Sequence, residues 1–211
     1  MIDQSKRNKT KKIAQIGVFS ALSIILYYIR FPLPIFPPFL QVQFSNLPII
    51  IISLCMGAKT GMLVLLIKTI IGAMFSFGES YAVGELMDLI IGTAVVLTST
   101  LTYNHFKTKK GGALALVAGM LAWVIVAVLA NYFIGIRLYL IVFFKNDVSS
   151  FVGACSIIPG INESNYLIRY CLYAALPFNL IVSFTVCLVT FIVYKRVSNI
   201  LKGDEEKFKI E

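Results

Sequence analysis

The sequence predicts an all-α integral membrane protein with six transmembrane helices and a proline-rich extracellular loop between the first two helices. Of its 211 residues, 58% are hydrophobic and 14% are charged, whereas a soluble domain is about half apolar and about a quarter charged. Several apolar runs approach the ~20 residues that cross a bilayer as a helix. Four of the seven prolines lie in one apolar stretch, residues 30–46.

The net charge of +9 is distributed as a membrane-topology signal. When the loops are assigned to alternate sides, fourteen of the nineteen Lys and Arg residues fall on one side, in both tails, at Lys59 and in the loop 107–110. This positive-inside bias places that side in the cytoplasm. We expect cytoplasmic termini, no nucleic-acid partner and three regions: a basic tail at 1–12, a membrane domain at 13–196 and a charged tail at 197–211.

The first helix is predicted at residues 13–29. No small-residue cleavage site follows this apolar run, so we expect a retained membrane helix rather than a signal peptide. Gly17 and Ala21 have the small-xxx-small spacing that lets helix backbones approach closely in lipid. Their face is a candidate docking surface for another subunit, and packing within the helix bundle is the alternative.

Residues 30–46, RFPLPIFPPFLQVQFSN, interrupt the helical pattern. Proline fixes its own φ, lacks a backbone donor and disfavours helix in the residue before it. Apolar side chains such as Phe39 and Leu40 hold the segment against protein or lipid, and polar residues such as Gln41 alternate with apolar ones near its end. We predict a lid over a ligand pocket; a hydrophobic re-entrant connector without a ligand is the alternative.

The second helix is predicted to be short, because it starts at Pro48, a favourable first-turn position, and ends at Gly57. About ten residues rising 1.5 Å each cover half a bilayer, so the lid segment has to complete this span. Short spans of this kind often mark substrate sites in transporters. The remaining helices are predicted at residues 60–77, 84–103, 113–134 and 170–194, with outer loops at 78–83 and 135–169.

Three ionisable residues, Lys68, Glu85 and Asp88, fall within the predicted membrane helices. Each costs at least ~2.5 kcal/mol to insert, so such residues usually have a partner or a function. Glu85 and Asp88 are three residues apart and share a helix face. One interpretation is a structural ion pair between Lys68 and Asp88, and the other is a carboxylate that hydrogen-bonds a polar solute.

Two asparagines lie at the predicted outer ends of helices beside aromatic residues. Asn131 precedes Tyr132, and Asn179 follows Phe178. A side-chain amide offers both donors and an acceptor, and aromatic walls with a few convergent polar groups are typical of a heterocycle pocket. Hydrogen bonds between helices are the alternative use of these amides.

The sequence contains no HExxH motif, nucleophile elbow, metal-spaced cysteine cluster or nucleotide-binding fingerprint. The only histidine, His105, lies in a predicted inner loop. Cys55 and Cys187 are expected to be buried thiols, and a disulfide between Cys155 and Cys171 is an alternative on the outer face. We therefore predict no enzyme activity, no metal site and no cofactor. Energy for uphill transport would come from partner subunits or an ion gradient.

Several segments in order resemble the riboflavin-binding S component of energy-coupling factor (ECF) transporters: FPLPIFPPFLQVQFSNLP, GAKTG, Lys68-Thr69, VGELMDLIIG, NYF and PFN. The resemblance covers about residues 12–196, and the proline-rich loop is its most specific part. It implies a six-helix protein of the cell membrane that captures a vitamin at the outer face beneath the first loop. It also implies two ATPase subunits and a transmembrane coupling subunit that docks on Gly17 and Ala21, with tilting of the S component to release the vitamin.

Carried onto this sequence, the resemblance implies a pocket formed by Phe39, Leu40, Gln41, Glu85, Asp88, Asn131, Tyr132 and Asn179, to which we add the intramembrane Lys68. The chain departs from the family where it has amides at Gln43 and Asn46 in place of acids, Thr69 in place of asparagine, and Val182 in place of a polar or basic residue. An S component for another vitamin or precursor is therefore the alternative. Further alternatives are a small membrane enzyme using the three intramembrane ionisable residues, and a structural protein that binds no small molecule.

Overall fold

The computed structural model describes residues 4–76, 82–106 and 108–207, and almost all regular structure in them is helical. A small antiparallel ribbon pairs Phe31 with Val42 and Pro32 with Gln41. In chain order the elements are α1 Gln4–Tyr28, β1 Phe31–Pro32, β2 Gln41–Val42, α2 Asn46–Met56, α3 Ala58–Ser76, α4 Val83–Phe106, α5 Lys109–Ala130, a π turn Asn131–Gly135, α6 Ile136–Phe143, α7 Val148–Ala154, α8 Tyr166–Tyr170, a second π turn Cys171–Ala175 and α9 Leu176–Lys207.

Helix α1 begins at Gln4 rather than near residue 13, so part of the predicted basic tail is helical. Gln, Lys and Arg are good helix formers, and no proline interrupts residues 4–12. At its other end α1 stops at Tyr28, three residues before the ribbon of β1 and β2, as the four prolines of the following segment require.

Helix α2 occupies the centre of the bundle, where it contacts α1, α3, α4 and α9. Its side chains from Ile49 to Leu54 are all buried. The helix stops because Gly57 has φ +89°, a conformation that favours glycine, and α3 begins at the next residue. The chain therefore turns back immediately, and the prediction of a short second helix ending at Gly57 is confirmed.

Helices α4 and α5 pack closely along their length. A Cβ atom at Gly119 of α5 would overlap the Oγ atom of Ser99 on α4, so a larger residue there would require the Ser99 side chain to move. Close backbone contact is the main source of helix association in lipid, because lipid tails are as apolar as the helix surfaces. The pairing of α4 with α5 thus provides one wall that supports the functional site.

The prediction that a loop begins at Gly135 is wrong. The fifth helix instead passes through the π turn Asn131–Gly135 and continues as α6, and the amide of Ile136 donates to the carbonyl of Asn131 five residues back. Gly135 packs closely against α4, since a Cβ atom there would lie 3.0 Å from Cε of Met87. A glycine that accommodates a neighbouring helix has the same sequence signature as one that ends a helix.

The last helix also extends beyond its predicted bounds. It starts at Tyr166 with α8, includes the second π turn, and α9 continues to Lys207, through most of the predicted charged tail. Before it, α7 is capped by Asp147, whose carboxylate accepts hydrogen bonds from the amides of Ser149 and Ser150 at 3.0 and 3.2 Å. The pKa of Asp147 is lowered, mainly because the Ser150 hydroxyl donates a hydrogen bond to its carboxylate.

Four segments of the described residues are long and apolar enough to cross a membrane: Ala58–Phe75, Val83–Phe106, Lys110–Phe143 and Tyr166–Tyr194. Helix α1, predicted from the sequence as the first span, is outside this set; its first nine residues include five basic ones. Helix α2 is too short, since eleven residues rise only about 16 Å. Most of the predicted outer loop 78–83 lies outside the described residues.

All four cysteines are free thiols, so the alternative of a disulfide between Cys155 and Cys171 is wrong. Cys155 is fully buried in the segment after α7, and burial raises the pKa of its thiol to about 12. The thiol therefore behaves as a small hydrophobic group that packs in the core.

Candidate functional site

A cavity of about 140 Å³ lies between the segment 30–46 and helices α4, α5, α6 and α9. We call this segment the lid because it borders the cavity with both apolar and polar side chains. The cavity is lined by Tyr27, Arg30, Phe39, Leu40, Gln41, Gln43, Gly84, Met87, Asp88, Ile91, Trp123, Asn131, Tyr139, Phe178, Asn179 and Val182. It combines aromatic walls with a small set of amides and charged groups.

Phe39 anchors the lid in an aromatic cluster. Its ring stacks on that of Tyr170 with centroids 5.9 Å apart, and it also lies 5.2 Å from Tyr139 and 6.0 Å from Phe151. A second lid residue, Phe36, meets Phe178 edge-to-face at 5.4 Å. Such aromatic pairs contribute about 0.5–1.5 kcal/mol beyond area burial. The lid is therefore held on the bundle by aromatic contacts to the helices and to α7.

A buried ion pair joins α3 to α4 beside the cavity. Lys68 contacts the Oδ2 atom of Asp88, and the Asn46 side-chain amide donates to Oδ1 of the same carboxylate at 2.8 Å. Lys68 is 1% exposed and Asp88 is 7% exposed. Both oxygens of Asp88 are thus engaged by groups from α2 and α3, and the ion pair, one of the two interpretations that the sequence left open, is present.

Glu85 lies one turn before Asp88 and accepts a hydrogen bond from the hydroxyl of Tyr27 on α1. The Tyr27 ring sits between two cations, with Lys68 Nζ 4.8 Å and Arg30 Cζ 5.3 Å from its centroid. Cation–π contacts strengthen when the groups are desolvated. Two carboxylates and two cations therefore form one cluster without net charge. Tyr27 connects this cluster to α1, and Asn46 connects it to α2.

Of the two predicted asparagines, Asn131 begins the first π turn, and Asn179 lies in α9, one turn after the second π turn. The side-chain amide of Asn131 donates to the carbonyl of Ala127 at 2.8 Å, and that of Asn179 donates to the carbonyl of Ala175 at 2.8 Å. Both residues are nearly buried and both border the cavity. The alternative use of these amides, a bond between helices, is realised at Asn179, whose Oδ1 accepts from the indole of Trp123 at 3.0 Å.

The structure brings together six of the nine residues expected to bind substrate. Lys68 and Glu85 are not among the lining residues but form the cluster behind Asp88. Tyr132 is 38% exposed, packs edge-to-face on Phe133 and does not line the cavity. The six that line it are Phe39, Leu40, Gln41, Asp88, Asn131 and Asn179.

Sequence reasoning missed several lining residues. Tyr139 lies in the predicted outer loop 135–169, whereas the structure places it on α6. Tyr27 and Arg30 flank the start of the lid, and a search for polar groups beside the proline-rich segment would have found them. Trp123 lies two turns before Asn131 on the same helix, with no distinguishing local pattern.

The face of α1 that carries Gly17 and Ala21 is exposed. A Cβ atom at Gly17 would meet no other atom within 4 Å, so neither residue serves the internal packing that was the alternative explanation. Around them the same helix exposes Ile13, Val18 and Ile25. Within a bilayer this face is open to lipid or to another subunit.

A second cavity of about 360 Å³ lies between the lid and the segment after α7, and it is less suited to a polar ligand. Ser156 is its one hydroxyl-bearing lining residue, and the others are proline or apolar side chains such as Leu33 and Phe36. A binding site needs polar groups to fix a ligand's orientation. The smaller cavity beneath Phe39 is therefore the candidate site, despite its lower volume.

These features define a class: a membrane protein with several apolar helices that holds a small polar–aromatic cavity under a loop at one end of its bundle. The chain belongs to the family described as the substrate-specific component of ECF transporters, whose model matches residues 11–194. Members of this family are subunits of transporters and not enzymes. Membership implies association with the membrane and ATPase subunits of an ECF transporter.

Relatives of known name cover nearly the whole chain. It is 27% identical over 194 residues to the riboflavin transporter RibU of Staphylococcus aureus (strain TCH60), covering 92% of this chain and 94% of that protein. It is 25% identical over 187 residues to the riboflavin transporter FmnP of Bacillus subtilis (strain 168), covering 88% and 91%. A solved structure of the S component of a bacterial ECF transporter superposes with a TM-score of 0.70 at 26% identity, covering 92% of this chain and 99% of that one.

Proposed function

We propose that this protein is the riboflavin-capturing S component of an ECF importer. The observation that carries the proposal is the cavity under the lid, where aromatic side chains, two oriented amides and a carboxylate converge. Two relatives that cover most of the chain are riboflavin transporters. Riboflavin matches this cavity chemically, since it joins a flat apolar ring system with polar edges to a chain of hydroxyl groups.

The proposed binding mode divides the cavity by chemistry. Phe178 and Trp123 supply aromatic walls for the ring, and the amides of Asn131 and Asn179 hydrogen-bond its polar edge. The lid glutamines Gln41 and Gln43 are proposed to bind the hydroxyl groups, which are both donors and acceptors. Asp88 can accept a further hydrogen bond there, because each carboxylate oxygen has two lone pairs and Asn46 uses only one of those on Oδ1. Lys68 and Glu85 contribute indirectly, since they hold Asp88 and Tyr27 in place.

Binding requires the lid to move. A cavity of about 140 Å³ is smaller than the roughly 300–1,000 Å³ of typical small-molecule sites. The Phe39 ring lies against three other aromatic rings at the cavity edge, and displacing it would enlarge the space. We propose that riboflavin enters as the lid lifts and is enclosed when the lid repacks over the ring.

We propose a six-span topology with both termini in the cytoplasm of the cell. The four long apolar segments supply four spans, α1 supplies one, and α2 together with the lid supplies the sixth. This places the lid and α7 outside and the basic residues near Lys110 inside, in accord with the positive-inside bias. The cavity then opens to the outer face, where a scarce vitamin is captured.

The proposed partners are a transmembrane coupling subunit and two ATPase subunits. The exposed face of α1 around Gly17 and Ala21 would receive a helix of the coupling subunit, because small residues allow close backbone approach. The chain has no nucleotide-binding fingerprint of its own. We propose that the ATPases supply the free energy for uphill transport.

A second candidate substrate is another vitamin or vitamin precursor. Gln43 and Val182 both line the cavity, and both are positions where the chain differs from the residues expected of the riboflavin family. The third departure in this region, Asn46, hydrogen-bonds Asp88 and does not line the cavity. A screen of vitamins against ligand-free protein would distinguish the two candidates.

Riboflavin is expected to bind ligand-free protein in detergent with one-to-one stoichiometry and nanomolar Kd. Trp123 is the only tryptophan and lines the cavity, so the bound flavin should quench its fluorescence. The titration should be repeated with Asn131→Leu, which keeps the side-chain volume and removes the amide. We expect about 10- to 100-fold weaker binding, because the ring edge loses its partner in a dry site.

The matched control is Leu129→Ala, two residues earlier on the same helix and half exposed. Its affinity for riboflavin should equal that of the unaltered protein. If micromolar riboflavin leaves the Trp123 fluorescence unchanged and a different vitamin quenches it, that vitamin is the substrate and riboflavin is not. If the Asn131→Leu variant binds riboflavin as tightly as the unaltered protein, the Asn131 amide does not contact the bound riboflavin.

A further inference from the structure

The amide of Asn179 is held in one orientation by two groups of opposite character. Its Nδ2 donates to the carbonyl of Ala175 at 2.8 Å, and its Oδ1 accepts from the indole Nε1 of Trp123 at 3.0 Å. A carbonyl oxygen only accepts and an indole N–H only donates. Rotating the amide by half a turn would place oxygen against oxygen and N–H against N–H, so this orientation is the one that satisfies both neighbours.

The fixed amide leaves one hydrogen for the cavity. The NH₂ group of asparagine has two hydrogens, and Ala175 takes one of them. Among the described residues, no other acceptor bonds Nδ2, and Asn179 borders the cavity. Oδ1 is occupied by the indole. Asn179 therefore presents a donor to whatever lies in the cavity.

We propose that Trp123 is a positioning residue that sets the ligand specificity of the cavity by holding Asn179 as a hydrogen-bond donor. The group of the ligand that faces Asn179 is then an acceptor, such as a ring carbonyl or an unprotonated ring nitrogen. This inference rests on the proposed function and deepens it, because it names the polarity that the bound ring must offer at this point. Trp123 also lines the cavity, but it sets this polarity through Asn179, because its indole N–H bonds the amide and not the ligand.

The physical reason is the high cost of a buried polar group without a partner. A ligand that offered a C–H or N–H at this position would leave the Nδ2 hydrogen unsatisfied or force the amide to rotate. Rotation would break the bonds to both Trp123 and Ala175. Sites built to hydrogen-bond a substrate group reject analogues that lack it far more strongly than apolar pockets reject a changed methylene.

The test measures the affinities of riboflavin and a set of flavin analogues, in each of which one ring nitrogen is replaced by C–H or one ring carbonyl by a thiocarbonyl. Equilibrium dialysis is used, because Trp123→Phe removes the fluorescent probe. In the unaltered protein, the analogue that lacks the acceptor facing Asn179 should bind about 10- to 100-fold more weakly than riboflavin. In Trp123→Phe, which keeps the aromatic ring and removes the N–H, this ratio should fall towards one.

The ratio separates positioning from a structural role. A structural defect would weaken all flavins equally and leave every ratio unchanged, and that result would overturn the proposal. So would an unaltered protein that shows no discrimination among the analogues. Combining Trp123→Phe with Asn179→Leu should cost no more than Asn179→Leu alone. The control is Tyr194→Phe, which removes the 3.1 Å hydroxyl contact between Tyr194 and Tyr103; neither residue lines the cavity. The affinity ratios of this variant should equal those of the unaltered protein.

A measurement without ligand tests the hydrogen bond directly. The single tryptophan gives one indole N–H resonance in a ¹⁵N–¹H spectrum. This resonance should exchange slowly with solvent and should shift upfield in Asn179→Leu, and an unchanged resonance would overturn the proposal. If the unaltered protein binds no flavin, the proposed function fails. The indole resonance would still show whether Trp123 bonds Oδ1 of Asn179 and so holds the amide as a donor.

Discussion

Replacing both Gly17 and Ala21 with leucine is expected to abolish riboflavin uptake by cells while leaving riboflavin binding unchanged. The structure explains why the two effects should separate. A Cβ atom at Gly17 meets nothing within 4 Å and Ala21 is exposed, so the larger side chains should not disturb the fold or the cavity. They would instead hold a partner helix away from α1. Uptake of labelled riboflavin and binding to purified protein measure the two quantities.

The matched control is Gly153→Leu on α7, since a Cβ atom at that glycine also meets nothing within 4 Å. It should leave both uptake and binding intact. Co-purification with the coupling subunit adds a direct readout, and it should fail only for the α1 variant. Normal uptake by the Gly17→Leu/Ala21→Leu variant would place the docking surface elsewhere, and lost binding would show that this face supports the fold.

Replacing Lys68 with methionine is expected to destabilise the protein by about 3–5 kcal/mol, because it leaves the carboxylate of Asp88 buried without its cation. Methionine is unbranched and only one atom shorter than lysine, so the change mainly removes the charge. Asn46 would remain as the one described partner of that carboxylate. Unfolding in detergent, followed by Trp123 fluorescence, measures the loss.

Two further variants make this result interpretable. Lys59→Met makes the same substitution at an exposed position on α3 and should change stability by no more than about 0.5 kcal/mol. Adding Asp88→Asn to Lys68→Met should restore part of the stability, since no buried charge then lacks a partner. If Lys68→Met unfolds like Lys59→Met, the ion pair contributes nothing to stability. Asp88→Asn alone distinguishes the carboxylate's roles, because a pure ligand contact would lower affinity without lowering stability.

The elements that the sequence predicted well are those set by local chemistry. Prolines exclude a helix from the lid, and a glycine with positive φ ends α2 after eleven residues. The pairing of Lys68 with Asp88 followed from the cost of an isolated charge in an apolar helix. Each of these features depends on a single residue type or on one strong energetic term.

The errors arose where one residue can serve two purposes. Gly135 matched the pattern of a helix end, yet it lies inside a π turn that packs against Met87. The helix continues, and Tyr139 comes to border the cavity. Tyr132, predicted for the pocket, is not among the residues that line the cavity and packs on Phe133. Because each residue of an α-helix advances the face by about 100°, the extra residue of a π turn reassigns every side chain beyond it.

By itself the sequence determined the class of protein, because apolar content, clustered positive charge and proline position act through solvation and local backbone sterics. It also supplied the asparagines and charged residues that form the site. Only the tertiary structure decided which of them share the cavity and how they are oriented. The polarity of Asn179, for example, is set by Trp123, 56 residues away in the chain. Such an orientation depends on the relative position of two packed helices, which no local pattern encodes.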